Sequence, residues 1–65
     1  MGSGYYPALR ALLLAHGCYL VRQGKGSHEM WYSPISGNSV TVSVTVTSRN
    51  TANAILKDAG IKRKV

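Results

Sequence analysis

The chain has 65 residues, a single cysteine, and eight Lys and Arg against two acids, for a formal net charge of +6. At that length it is one domain, residues 1–65, that buries roughly 60% of its unfolded surface, so one modest core fits and a separate catalytic domain does not. Lone Cys18 excludes an internal disulfide, no zinc-site spacing or cofactor motif is present, and the apolar run at 11–15 is far shorter than the ~20 residues of a membrane helix.

Residues 1–4 are expected to be disordered, and Tyr5 and Tyr6 to form a hydrophobic staple rather than a base-stacking platform. Over 7–16 the residues Ala8, Leu9, Leu12, Leu13 and Ala15 recur at helical spacing, with Pro7 suited to a first turn and Gly17 to a stop. His16 falls at the carbonyl end of that helix, where an imidazolium complements the dipole, so its role reads as structural. Cys18 reads as a small buried residue within a first strand over 18–23, ended by glycine. After a turn at 24–27, a second strand over 29–32 stops at Ser33-Pro34.

Residues 34–38 form a turn by composition. Beyond them Val40, Val42, Val44 and Val46 alternate with Thr41, Ser43, Thr45 and Thr47, which predicts a third strand running the whole length. Ser48, Arg49 and Asn50 offer capping side chains, and Ala52, Ile55, Leu56 and Ala59 repeat at helical spacing before Gly60. The order is αβββα. Short connections make the strands an antiparallel meander, and two helices with one apolar stripe each must cover the same face of it, which defines an α+β domain with its other sheet face open. The basic end, Lys62, Arg63 and Lys64, reads either as a frayed, flexible tail over 62–65 or as a phosphate-contacting arm.

So strong a positive balance in so small a chain points to a polyanion. Nucleic acid is favoured over a membrane surface, because the Lys and Arg lie in loops and at the end of the chain rather than along one helical face. The absence of disulfide pairing, signal peptide and membrane span suits a reducing cytoplasm. Gly24-Lys25-Gly26-Ser27-His28 is the stretch with the most chemistry: amides, an ammonium and a hydroxyl to meet a phosphate, followed by an imidazole able to give or take a proton near neutral pH. Strand alternation sets His28, Met30 and Tyr32 on one face and Glu29 and Trp31 on the other. Trp31 is the better match for a small core, which leaves His28 and Tyr32 on the open face.

RNA can be cut without a metal because its own 2′-hydroxyl attacks the adjacent phosphate. The protein then supplies a base, an acid and stabilisation of the developing charge. His28 fits one proton-transfer role; Lys25, the Gly26 and Ser27 amides and Arg22 fit charge stabilisation; Tyr32, Ser27, Lys25 or water fits the second proton transfer. Glu29 is a weaker general-base candidate, since a lone strand carboxylate is more often solvated or paired with Arg.

The run from Tyr5 to Ile61 resembles the HicA family of bacterial toxins. The resemblance rests on a leucine-rich helix ending His16-Gly17, then Tyr19-Leu20-Val21-Arg22-Gln23-Gly24-Lys25-Gly26-Ser27-His28, an aromatic strand, a Val/Thr strand, and Ala54-Ile55-Leu56-Lys57-Asp58-Ala59-Gly60-Ile61. It implies a fold similar to double-stranded-RNA-binding domains and a ribosome-independent mRNA interferase without metal or other cofactor, whose essential histidine maps onto His28. It also implies a HicB antitoxin as partner, covering the active site, with DNA contacted only through that antitoxin. Many relatives carry a proline and then another histidine or lysine after strand three; this chain reads Ser43-Val44-Thr45-Val46-Thr47-Ser48-Arg49, with Arg49 the nearest basic replacement. A non-catalytic RNA-binding module is the alternative function, and a small protein-docking domain ranks last.

Overall fold

The computed structural model describes residues 4–65. Its order is α1 (Tyr6–Ala15), β1 (Tyr19–Gln23), β2 (His28–Ser33), β3 (Asn38–Ser43) and α2 (Arg49–Asp58), the αβββα arrangement that the sequence predicts. Of the segment expected to be disordered, residues 1–3 lie outside the described part; a Cβ on Gly4 would collide with the Val46 carbonyl.

Helix α1 takes Pro7 in its first turn and ends in a Schellman-type closure, with the Cys18 N–H donating to the Leu13 carbonyl (3.0 Å) and the Gly17 N–H to that of Leu14 (3.1 Å). The His16 Nδ1 is 2.8 Å from the Leu12 carbonyl, so its ring satisfies a helix-end acceptor, the structural role expected of it. In α2 the Ser48 side chain accepts from the Thr51 N–H at 3.4 Å, which picks the true N-cap out of the three capping candidates.

The three strands form one antiparallel sheet in the order β1-β2-β3. Both helices cover one face: Leu9 and Leu13 of α1 and Ala52, Ile55 and Leu56 of α2 join Trp31, Val40 and Val42 in a single core, closed by Cys18, Val46, Ala59 and Ile61. At its far end Ser33, fully buried, donates to the Ala59 carbonyl at 2.6 Å and ties the end of β2 to the end of α2. Among the described residues no helix is long and apolar enough to cross a membrane.

Strand β3 stops at Ser43 rather than Thr47. Pairing decides this: Ser43 is opposite His28, the first residue of β2, so no ladder partner exists beyond it. Instead the Val44 N–H donates to the Ser27 carbonyl at 2.8 Å and the chain turns. Val46 still reaches the core, and its carbonyl accepts from the Tyr5 N–H at 2.9 Å. The Val/Thr alternation thus serves two purposes, strand pairing up to Ser43 and anchoring of the N-terminal segment beyond it.

Glu29 corrects a second expectation. Its carboxylate is neither solvated nor paired with Arg; it lies buried on the helix-covered face, where Oε1 accepts from the Tyr6 hydroxyl at 2.8 Å and from the Trp31 Nε1 at 3.0 Å. A buried carboxylate is tolerated because charge-assisted donors replace its water. Burial, then the hydrogen bond to Glu29 and its charge, raise the Tyr6 phenol above its ordinary value of 10.0. A phenol with a higher pKa in the folded than in the unfolded chain stabilises the fold fully below about pH 10, and that contribution disappears as pH climbs through the folded value. Tyr6→Phe is therefore expected to lower stability at neutral pH and to narrow its gap to the parent above pH 10, measured by urea denaturation across an alkaline series. A gap independent of pH contradicts this coupling.

Candidate nucleic-acid interface on the open sheet face

The uncovered face of the sheet is built in rows by the strand register. His28 faces Ser43 in one row; Arg22, Met30 and Thr41 form the next; Tyr19, Tyr32 and Ser39 form the third. His28 and Arg22 are exposed, and Met30 and Tyr32 are half-buried, while Trp31 is 1% exposed on the other side. His28 and Tyr32 therefore lie where the sequence places them.

Arg22 joins this face through a break in register. Residues Tyr19 and Leu20 pair with Tyr32 and Trp31, but Arg22 pairs with Met30, with Val21 left over as a bulge. Regular alternation would have sent Arg22 to the helix-covered side opposite Glu29; the extra residue reverses its facing. Arg22 pairs with Met30 and is thus a diagonal neighbour of His28, a relation that in a regular ladder spans about 7–8 Å, within reach of a guanidinium and an imidazole sharing one phosphodiester.

The loop entering β2 fixes His28 by two different uses of glycine. Gly26 has φ 62° and is the first central residue of a turn closed by the His28 N–H on the Lys25 carbonyl (3.2 Å); Ser27 keeps a negative φ, the type II′ arrangement. At Gly24 the constraint is contact: its N–H donates to the His28 carbonyl at 2.8 Å, and a Cβ there would lie 2.9 Å from that oxygen. One glycine makes the turn and the other lets β1 close against the histidine's own backbone.

Three hydroxyls gather beside His28: Thr45 Oγ1 is 3.4 Å from Ser27 Oγ and 3.3 Å from Ser43 Oγ. The glycine loop makes Ser27 a candidate from sequence alone, whereas Ser43 and Thr45 are hidden by their place in a strand repeat. Lys25 is exposed at the tip of the turn. Arg49 opens α2 beyond the loop that follows β3 and is exposed. Tyr32 is four residues from His28 along β2, ~13 Å of strand, and pairs with Tyr19 rather than with the imidazole. Glu29 is on the opposite face. Among the described residues no three His, Cys, Asp or Glu side chains cluster so as to hold a metal ion.

Away from this face, Lys57, Lys62, Arg63 and Lys64 line a shallow depression with Asn50, Asn53 and Ile61. The Val65 N–H donates to Asn53 Oδ1 at 2.8 Å, so the basic end of the chain lies along α2.

These features define a small basic α+β domain that offers an open sheet face, with an exposed histidine between cations and hydroxyls. Residues 7–61 match the family described as the HicA toxin of bacterial toxin-antitoxin systems, and the chain belongs to that family. It is the toxin of a toxin–antitoxin pair, which implies a cognate antitoxin. Comparison with curated proteins and with solved structures finds no significant match.

Proposed function

We propose that the protein is an endoribonuclease that cleaves mRNA, with His28 as the proton-transfer group. One observation carries this reading: the open face presents an exposed imidazole flanked by Arg22 and by the Ser27, Ser43 and Thr45 hydroxyls, at the mouth of a glycine-shaped turn. A phosphodiester lying there meets donors on both sides. His28 accepts the proton of the attacking 2′-hydroxyl or donates to the departing 5′-oxygen, and Arg22, Lys25 and the Gly26 and Ser27 amides stabilise the charge on the phosphorane. Arg49 extends the basic surface along the strand of RNA. Tyr32 is too far along β2 for the second proton transfer, which falls to Ser27, Lys25 or water.

The antitoxin is proposed to be HicB-like and to act by covering this face, with DNA contacted only through it. Edge strand β1 supports such docking, since Leu20 and Val21 are 45% and 53% exposed beside backbone groups on its unpaired side. The setting is the bacterial cytoplasm.

Incubation of the purified protein with single-stranded RNA in EDTA tests the chemistry. Cleavage is expected to leave 2′,3′-cyclic phosphate and 5′-hydroxyl ends, and a strand with 2′-deoxyribose at the cleaved positions is expected to stay intact. Equal cleavage of the deoxy strand overturns the mechanism. RNA bound with a steep salt dependence but never cut overturns the enzymatic reading in favour of a binding module.

A further inference from the structure

The row farthest from His28 holds two large aromatic rings that neither the core nor the proton chemistry uses. Tyr19 and Tyr32 are cross-strand partners with ring centroids 5.6 Å apart and planes tilted by 43°. They lie on the face opposite Trp31, and Tyr19 is 54% exposed. Their neighbour in β3 is Ser39, small and exposed, so among the described residues β3 offers no large side chain to cover the pair on that side. Tyr5 and Tyr6, by contrast, pack against the core, and the Tyr6 hydroxyl is bound to Glu29.

We propose that Tyr19 and Tyr32 form a nucleobase-stacking platform, so that RNA crosses the open face as a single strand, one base on the tyrosines and its backbone running past Arg22 to His28. The proposal rests on the reading of this face as the RNA site. Its occupant follows from charge and shape together. The protein carries a net charge of +6, and one of its two acids, Glu29, is buried on the far side, so the face draws a polyanion. A duplex would bring phosphates to Arg22 and Lys25 but keep its bases stacked inside. Only an unpaired base offers a π-face to the tyrosines, and such stacking tolerates any base. The platform is ~13 Å along β2 from His28, so the stacked base is a near neighbour of the linkage to be cut and helps hold it in line.

The test uses His28→Ala protein, expected to cut RNA at least about a hundredfold more slowly, and fluorescence anisotropy with a short fluorescein-labelled RNA, single-stranded or annealed to its complement. Adding Tyr19→Ala is expected to weaken single-strand binding about tenfold, and Tyr19→Phe to leave it within about twofold, with duplex binding unchanged by either. Tyr19 is exposed, so circular dichroism of the variants should match the parent. Single-strand affinity unaffected by Tyr19→Ala overturns the platform, and so does an equal loss on duplex; in both cases RNA binding by the His28→Ala parent leaves the RNA reading intact. A parent that binds neither RNA overturns both. Unchanged RNA affinity with lost antitoxin binding assigns the tyrosines to a protein interface instead.

Discussion

Replacing His28 with alanine is expected to abolish growth arrest on induction and to lower RNA cleavage by roughly 10²–10⁴, the usual contribution of a positioned acid or base. The size of the effect follows from what surrounds the ring. No other imidazole shares the open face, since His16 is committed to the end of α1 and Glu29 is on the other side of the sheet. A hydroxyl cluster and two cations can hold a phosphate and stabilise charge, but they offer no second imidazole to take over the proton transfer. Folding is expected to survive the change. His28 is exposed, and its hydrogen bonds to Gly24 and Lys25 run through its backbone, which alanine keeps, so the stability cost stays within about 0.5 kcal/mol. RNA integrity after induction, beside thermal unfolding of the purified variant, separates the two readouts. Undiminished arrest and cleavage in a folded His28→Ala protein would falsify the assignment.

The legibility of this chain varied with how local the deciding interaction is. Pro7 and Gly17 bracket α1, and the Ser48 cap and Gly60 bracket α2, by chemistry that acts within a turn, so both helices could be read directly. The facing of His28, Trp31 and Tyr32 was also legible, because β2 keeps strict alternation and only one of its faces suits an indole. Three features depend on residues distant in sequence and were not. Strand β3 ends where β2 runs out of residues to pair, a limit its own Val/Thr repeat cannot reveal. Glu29 is buried because Tyr6, 23 positions earlier, reaches it across the core. Arg22, a candidate by its charge, faces the open side only because Val21 is bulged, and a bulge has no signature in a run of β-formers. The glycine loop stands out in the sequence, but not that its two glycines work differently: Gly26 through a positive φ and Gly24 through close backbone contact.

The largest effect on stability is expected at Trp31, where alanine should leave the protein mostly unfolded at 25 °C. Trp31 is 1% exposed, the largest fully buried side chain, and truncating a buried aromatic to alanine costs about 3–5 kcal/mol through lost burial and the cavity left behind. A core in a chain this short rarely supplies more than about 3–5 kcal/mol in total, so the loss is of the same size as the whole margin. The indole also donates to Glu29 Oε1 at 3.0 Å, and its removal leaves a buried carboxylate held by Tyr6 alone. Two comparisons separate these contributions. Trp31→Phe restores most of the volume but not the donor, and is expected to be destabilised by about 1.5–3 kcal/mol, the worth of a hydrogen bond to a charged group. Trp31→Phe combined with Glu29→Gln keeps a neutral acceptor for Tyr6 and removes the buried charge, and is expected to recover part of that loss. Urea denaturation followed by circular dichroism measures all three. A Trp31→Ala protein with the parent's midpoint would mean that the indole is not the keystone of this core, and a double variant no more stable than Trp31→Phe would mean that the Glu29 charge is not what the indole N–H offsets.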